Sequence, residues 1–500
     1  MTNNYVDFNG KPFHFIGIGG IGMSALAYIL AKRRLPVSGS DLRSSHITEK
    51  LAALGAHIFS QQDATNVEFF LSASDRVCSA LPAAMVGGGT SVLIDESRPS
   101  FSKPIANKQN TLPQVICSTA INPANLEYRA ALDLGCPIFH RSDLLAALIQ
   151  EYYSIAVAGT HGKTTTSSMI GYLLLKAGLD PTIVVGGEVK AWEGNARLGK
   201  GQYLVAEADE SDGSLVKLSA QIGVITNIEL DHPDHYKSLE EVISTFQTFT
   251  QKCQIIVACI DCATVRDRFK PTVSYSLNSD SPADYTVTDV EYRADGTSAI
   301  VWERDRQLGQ LNLSVLGRHN LSNAIAAVAV GRLLGLDFSV IASNIAAFEG
   351  AKRRFELRGE TNGIQFIDDY AHHPSEVRAT LAAARLQAKP GTKIVATFQP
   401  HRYSRTLTFL QDFAQSFSHA DLVIVSDIYS AGEANLGQIN GEKVAEAIAA
   451  YHPQVTYQPI AAIGEFLVKT LQPGDMALFL GAGNLNQIIP EVIESIKAKG

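Results

Sequence analysis

Two glycine-rich stretches in this 500-residue chain have the residue types and spacing needed to hold phosphate. In AVAGTHGKTTTS, residues 156–167, Gly159, Gly162, Lys163 and Thr164 spell G-x-x-G-K-T between two hydrophobic runs. Val157 stands where the full Walker motif has glycine, so the motif is short, but its core chemistry survives. Backbone N–H groups cradle phosphate oxygens, the lysine reaches the terminal phosphates, and the threonine hydroxyl can ligate Mg2+. Earlier in the chain, GIGGIG puts Gly17, Gly19 and Gly22 in the pattern G-x-G-x-x-G, and Asp41 follows 19 residues after Gly22. Glycines there let backbone amides approach a diphosphate, and an acidic residue at that distance suits a ribose hydroxyl. Alone, this pattern reads as a nicotinamide dehydrogenase. What it reports is a diphosphate, which UDP-sugars also carry.

Three further clusters carry chemistry. AEADESD ends a hydrophobic run with Glu207, Asp209, Glu210 and Asp212. Carboxylates so close repel one another unless a cation sits among them, although a solvated acidic turn has the same composition. TNIELDHPDHY supplies Asn227, Glu229, Asp231, His232, Asp234 and His235. Such a set serves zinc or, beside a nucleotide, Mg2+ and phosphate. In the last third, DDYAHHPSE and FQPHRYSRT bring Asp368, Asp369, Tyr370, His372, His373, Glu376, His401, Arg402, Tyr403 and Arg405. A histidine near neutrality can take the proton an incoming ammonium must lose, which makes His372 the catalytic candidate. Two arginines three apart can fork onto a carboxylate. Metal binding by His372 and His373 as a pair is disfavoured by Pro374 directly after them.

The elements that must position these residues alternate strand and helix. FHFIGIGG reads as a buried strand, GMSALAYILAKR as its helix and LPVSGSD as the next strand. Later strands are YSIAVAGT, YLVAEADESD, IGVITNIELDH, GIQFIDDY, KIVATFQP, DLVIVSD and DMALFLGAG, with a long Ala-rich helix at NLSNAIAAVAVGRLLG. This rhythm predicts an α/β protein with parallel sheets covered by helices on both faces. The length suggests three domains, placed at 1–150, 151–350 and 351–500. A Gly-, Ser- and Pro-rich stretch, residues 82–113, reads as a loop inserted between the strand-like DRVCSAL and QVICSTA.

Composition narrows the classes. The net charge of −8 argues against a nucleic-acid surface, so an anionic substrate must be gripped by local cations. Six scattered cysteines fit reduced thiols and a cytoplasmic setting, and C-x-x-C at Cys259 and Cys262 has no second pair nearby to complete a zinc site. No apolar run reaches the roughly 18 residues of a membrane span.

Taken in order, HFIGIGGIGMSALA, GTHGKTTT, AEADESDGSL, TNIELDHPDHY, GRHNLSNA, RRFE, DDYAHHPSE, FQPHRYSRT and YSAGE resemble the Mur ligases over nearly the whole chain. The 82–113 insertion departs from that pattern. The resemblance implies a Rossmann-like UDP-binding domain, a central P-loop ATPase-like domain and a Rossmann-like C-terminal domain. It implies an ATP- and Mg2+-dependent ligase that joins L-alanine to the carboxylate of UDP-N-acetylmuramate through an acyl phosphate, for peptidoglycan synthesis. Neither nucleic acid nor membrane is an expected partner. A relative that adds a peptide to the same sugar nucleotide remains an alternative. So, more distantly, do a nicotinamide dehydrogenase and a P-loop regulator without turnover.

By the same resemblance, Gly17, Gly19, Gly20, Gly22, Ser38 and Asp41 contact the UDP-sugar. Gly159, Thr160, His161, Gly162, Lys163, Thr164 and Thr165 hold ATP, with adenine at His319, Asn320 and Asn323. A helix N-cap formed by Asn320 or Ser322 reads the same locally. Thr164, Glu207 and His232 hold Mg2+, with Asp209 and Glu210 in an outer shell. Tyr370, His401, Arg402 and Arg405 take the amino acid, an arginine gripping its carboxylate. Lys163, His372 and Arg354 are the catalytic residues, Arg353 and Arg354 lying where they can swing toward the γ-phosphate or stay as hinge-surface charges. No lysine stands out for the carbamylated metal ligand used by other family members.

Overall fold

The computed structural model describes residues 5–71 and 112–498. The strand expected at DRVCSAL, and all but the last two residues of the 82–113 insertion, lie outside them. The chain forms a three-domain α/β fold on three sheets. Chain contacts divide it into two compact units, Met1–Leu144 and Leu145–Gly500.

In the first unit β1 (Phe13–Ile16), β2 (Val37–Ser40), β3 (His57–Phe59), β4 (Gln114–Cys117) and β5 (Ile138–His140) form a parallel sheet in the order β3-β2-β1-β4-β5. The order reverses between β1 and β4, which is where such sheets open a crevice at the strands' carboxyl ends. The loop 17–22 follows β1 into that place. The helix Ile21–Lys32 begins one residue before the sequence reading, with Gly20 at its N-cap and no side-chain cap. β2 is a strand without apolar alternation. Gly39 fits because a Cβ there would lie 2.6 Å from Phe15 O. Its serines are satisfied below the sheet: Ser38 Oγ lies 2.9 Å from His14 Nδ1, and Ser40 donates to Glu127, which also accepts from Asn66.

The second unit carries the other two sheets. The larger joins β6 (Tyr153–Ala158), β7 (Thr182–Val189), β8 (Gly194–Arg197), β9 (Tyr203–Glu207), β10 (Ile222–Ile225), β11 (Ile255–Cys259), β12 (Val273–Tyr275), β13 (Tyr285–Arg293), β14 (Gly296–Glu303) and β15 (Arg306–Leu313). Its order is β15-β14-β13-β12-β11-β10-β6-β9-β7-β8. Strands β9 and β10 flank β6 in parallel, so the loops after all three leave the same edge. The parallel expectation holds for this centre and fails at the margins, where β8 and the β13–β15 ribbon are antiparallel. β13 explains why: its second half alternates between partly buried and exposed residues, the pattern of a strand with one solvated face. Under the sheet the helices Lys163–Lys176 and Arg318–Leu333 are buried along nearly their full length. Ala324, Ala326, Ala327 and Ala329 let the second helix sit deep in the core.

The third sheet contains β16 (Glu356–Thr361), β17 (Ile364–Asp369), β18 (Ile394–Phe398), β19 (Leu422–Val425), β20 (Val455–Tyr457) and β21 (Met476–Leu480). Its order is β16-β17-β21-β18-β19-β20, parallel except for β16. β16 and β20, absent from the sequence reading, are short or largely exposed edge strands with little apolar signal. Separate apolar clusters cover its two faces, one around Phe398 and Phe413, the other around Phe366 and Phe479. Among the described residues no helix is long and apolar enough to cross a membrane. Among the described residues Cys117, Cys136, Cys253, Cys259 and Cys262 are free thiols.

Candidate functional site

The loop after β6 is shaped by two glycines in the left-handed region. Gly159 has φ +141°, and a Cβ there would fall 1.9 Å from Thr226 Oγ1. Gly162 has φ +81°, and its Cβ would meet Asn323 Oδ1 at 2.7 Å. Side chains are therefore excluded from both by geometry and by neighbours. The strand β10 pins the loop: Asn227 O and Oδ1 accept from the amides of Thr160 and His161, and Thr226 Oγ1 donates to His161 O at 2.6 Å. Thr160 Oγ1 accepts from Glu229 N. Thr165 is buried in the first turn of the helix Lys163–Lys176.

Lys163 Nζ donates to Glu210 Oε2 at 2.7 Å and Oε1 at 2.9 Å, and to Gly159 O. Burial opposes its charge, but the carboxylates of Glu210, Asp209 and Glu207 raise its pKa above the usual lysine value. Burial likewise pushes Glu210 up, with Asp209 adding to the shift and Lys163 pulling the other way. Glu210, expected in an outer shell, is thus the direct partner of Lys163. Thr164 Oγ1 donates to Glu207 Oε1 at 3.1 Å, and Glu207 Oε2 accepts from Gly186 N at 2.6 Å. Burial raises the Glu207 carboxyl. His232, at φ +54°, points Nε2 to within 3.9 Å of Glu210 Oε1, and burial holds its pKa below the ordinary histidine value.

Gly317 is the N-cap of the helix Arg318–Leu333, so neither Asn320 nor Ser322 caps it. Asn320 and Asn323 sit buried in its first two turns, Asn320 donating to Leu316 O and Asn323 to Asn320 Oδ1. Asn323 lies against the phosphate-type loop at Gly162. His319 is partly buried; burial, with Arg354 nearby, lowers its pKa to about 4.

From the third sheet, the loops after β17 and β18 reach the same region. Asp369 accepts from Ala371 N and Phe355 N, fixing the corner after β17, and burial lifts its carboxyl to about 6. His372 Nδ1 lies 2.9 Å from Tyr370 O, and its ring is 5.6 Å from that of His401. Burial lowers His372 to about 4, Glu376 raising and Arg405 lowering it further in turn. The guanidinium groups of Arg353 and Arg354 both lie over the Tyr370 ring, at 4.9 and 5.3 Å. Arg353 is also committed to Asp368 and to Gly481 O, whereas Arg354 reaches Glu376 only at 3.8 Å.

The two arginines after β18, either of which was expected to grip a carboxylate, differ in their surroundings. Arg405 is 2% exposed and wholly engaged: Nε donates to Asp231 Oδ1 at 2.7 Å, with His401 Nδ1 at 3.1 Å and His232 Nδ1 at 3.3 Å. Burial opposes the Asp231 charge, but Arg405 keeps its pKa far below the usual carboxylate range. Arg402, at φ +69°, is more exposed and donates to Asp234 Oδ2 at 2.7 Å, with Glu433 Oε1 at 3.4 Å. His401 stacks on Tyr429.

Sequence reasoning grouped His372 with His373; the structure separates them. His373 turns toward His161 and Glu229, and these three offer ligand atoms within 4.8 Å of one another. His373 Nδ1 accepts from Ser375 N and Glu229 Oε2 accepts the Ser375 hydroxyl, whereas Nε2 of His161 and Nε2 of His373 are buried and make no hydrogen bond. Glu229, Asp231 and Glu376 lie inside the sequence motifs, but their spacing alone assigns them no role. Glu376 was legible as the fourth residue of a capping box begun by His373. Nothing in the spacing of Asp231 announces its partner.

In the first unit, Gly19 N donates to Asp41 Oδ2 at 2.8 Å, and a Cβ on Gly19 would meet that oxygen at 2.7 Å. Gly17 has φ +80°, and Gly22 lies against Arg141. Gly17, Gly19, Gly20, Gly22 and Asp41 thus gather at the end of β1. Ser38 does not join them: it is fully buried and turned toward His14.

Comparison with known proteins matches these three parts in order. Residues 12–153 match the model of the Mur ligase family, catalytic domain; residues 157–331 the Mur ligase middle domain; residues 353–483 the Mur ligase, glutamate ligase domain. The chain belongs to the Mur ligase family. As a Mur ligase it is similar to the UDP-N-acetylmuramate–L-alanine ligase of Nostoc punctiforme, 68% identical over 99% of this chain and 98% of that protein. The crystal structure of a UDP-N-acetylmuramate–alanine ligase from Thermotoga maritima aligns with a TM-score of 0.78 at 25% identity, covering 98% of this chain and all of that one. A murein peptide ligase from Psychrobacter arcticus shares the fold, with a TM-score of 0.68 at 21% identity over 98% of this chain and 99% of that one. Within this Mur ligase, the loop after β10 meets the loop after β18 through the Asp231–Arg405 pair, and the loop after β6 approaches the segment after β17 through His161 and Glu376.

Proposed function

We propose that this Mur ligase joins L-alanine to the carboxylate of UDP-N-acetylmuramate with ATP as the driving nucleotide, in peptidoglycan precursor synthesis in the cytoplasm. One observation carries the reading: 68% identity over 99% of the chain to a protein of that activity, which reaches across both phosphate-type loops and the arginine-bearing loop. We divide the work among residues 1–150 for the sugar nucleotide, 151–350 for ATP and 351–500 for the amino acid.

The chemistry follows from what the side chains can do. A carboxylate oxygen is a poor leaving group, so ATP phosphorylates it and the amine then displaces phosphate from the acyl phosphate. Lys163 supplies positive charge where two anions must approach. Thr164 and Glu207 offer hard oxygen donors 3.1 Å apart, which fit Mg2+, and His232 presents a neutral imidazole nearby. When bound, Mg2+ lends Lewis acidity to the phosphate oxygens. His372 points its Nδ1 at the Tyr370 carbonyl, so the N–H sits there and Nε2 keeps its lone pair for the proton of the incoming ammonium. Arg402 takes the alanine carboxylate in exchange for Asp234, and Arg405 holds the His401–His232 cluster in place. Arg354 is the more lightly held of the two junction arginines and is our candidate to follow the transferred phosphoryl group.

Phosphate release from ATP, measured with UDP-N-acetylmuramate and a panel of amino acids and short peptides, tests this. Alanine is expected to give the highest kcat/KM. Preference for a peptide would reassign the substrate, and an absence of nucleotide consumption with every amine partner offered would remove the ligase reading.

A further inference from the structure

We propose that Glu376 is a positioning residue that ties the nucleotide loop to the histidine on the amine side, so that the two are aligned together. The inference rests on the ligase reading above. Glu376 sits at the third position of the helix Pro374–Gln387. One of its oxygens faces the central sheet: Oε1 lies 3.4 Å from Nδ1 of His161, in the phosphate-type loop, and 3.8 Å from Arg354 Nη1. The other faces the third sheet: Oε2 accepts from His372 N at 3.0 Å and His373 N at 3.3 Å, and lies 3.3 Å from His372 Nδ1.

A helix cap needs only the two backbone bonds. The remaining contacts place one largely buried carboxylate among His161, Arg354 and His372, three groups from three segments of the chain. Burial opposes its ionisation, yet these neighbours hold its pKa well below the usual range, so it is an anion throughout the working pH range. His161 is committed on its other side as well, with Nε2 3.4 Å from Glu229 Oε2. A shift of the loop that carries His161 therefore changes the field and the hydrogen bonding at His372 through a single intermediate residue. Arg354, the third contact, lets the same carboxylate register the junction between the two sheets.

Four full-length proteins test the proposal: wild type, Glu376→Gln, His161→Asn and the double variant. Glutamine preserves the capping box, so the thermal midpoint of Glu376→Gln should stay close to wild type. Its kcat is expected to fall by about tenfold, the scale of losing an orienting partner, with KM for UDP-N-acetylmuramate changed by less than about twofold. The double variant should be no slower than Glu376→Gln alone, because each single change breaks the same link. ATP dissociation constants from calorimetry give the same cycle without requiring turnover, so the link is still judged if alanine proves to be the wrong amine. Wild-type kcat in Glu376→Gln, a loss that merely tracks a lower thermal midpoint, or effects that multiply in the double variant would each overturn it.

Discussion

Arg405 and Asp231, 174 residues apart in the chain, form a buried ion pair at 2.7 Å, with side chains 2% and 5% exposed. The pair joins the loop after β18 to the loop after β10. Arg402, three residues earlier, meets Asp234 at the same distance but remains about a third exposed. Two arginines in one loop thus have different tasks.

Arg405→Ala leaves Asp231 buried without its partner. A loss of about 3–5 kcal/mol in urea unfolding is expected. Arg402→Ala, at a partly solvated pair, should cost about 1 kcal/mol or less while raising KM for alanine. Equal destabilisation by both changes would mean that burial does not set the difference.

Lys163→Ala should reduce phosphate release by at least about 100-fold, the scale of removing a donor aimed at developing charge. Binding of UDP-N-acetylmuramate, followed by calorimetry, should persist, since its proposed contacts are Gly17–Gly22 and Asp41. Loss of both together would contradict the division of labour proposed for the chain.

Stability should peak near neutral pH. Burial opposes the His161 charge, but Glu229 and Glu376 lift its pKa to about 10, above the value of roughly 6.5 in an unfolded chain. That contribution is complete below about pH 6.5 and is lost as pH rises toward 10. His372 and His373 are lowered by burial to about 4, so their contribution is complete above about 6.5 and is lost as pH falls through 4. Denaturation midpoints across pH should show both limbs. His161→Asn should abolish the alkaline one, and its survival would assign that limb to another group.

Gly159→Ala combines φ +141° with a Cβ 1.9 Å from Thr226 Oγ1. The loop must shift, and a destabilisation of about 2 kcal/mol or more is expected with loss of ATP binding. Pairing it with Thr226→Ala, which removes the oxygen that the new Cβ meets, should rescue little; substantial rescue would show that the contact rather than the backbone conformation was limiting.

Much of this is legible in the sequence. Glycines 159 and 162, Lys163 and Thr164 fall where a strand–loop–helix must place them, because their spacing is local. The parallel order then brings Glu207 and Asn227 beside them, as alternation of strand and helix implies. What the sequence concealed was non-local or lacked an apolar signature. β16 and the β13–β15 ribbon lie at sheet margins. Ser38 sits in a strand whose serines share one side and whose other side carries only Val37 and Gly39, so its buried orientation depends on a histidine 24 residues away. Arg405 resembled Arg402 in type and loop, and only the distant Asp231 distinguishes them.

Four cations of the second unit have internal counterions: Lys163 has Glu210, Arg353 has Asp368, Arg402 has Asp234 and Arg405 has Asp231. An arriving anion does not meet a bare positive field but must trade places with a tethered carboxylate. Within a protein of net charge −8, these cations are thus kept as near-neutral pairs rather than as an open positive surface.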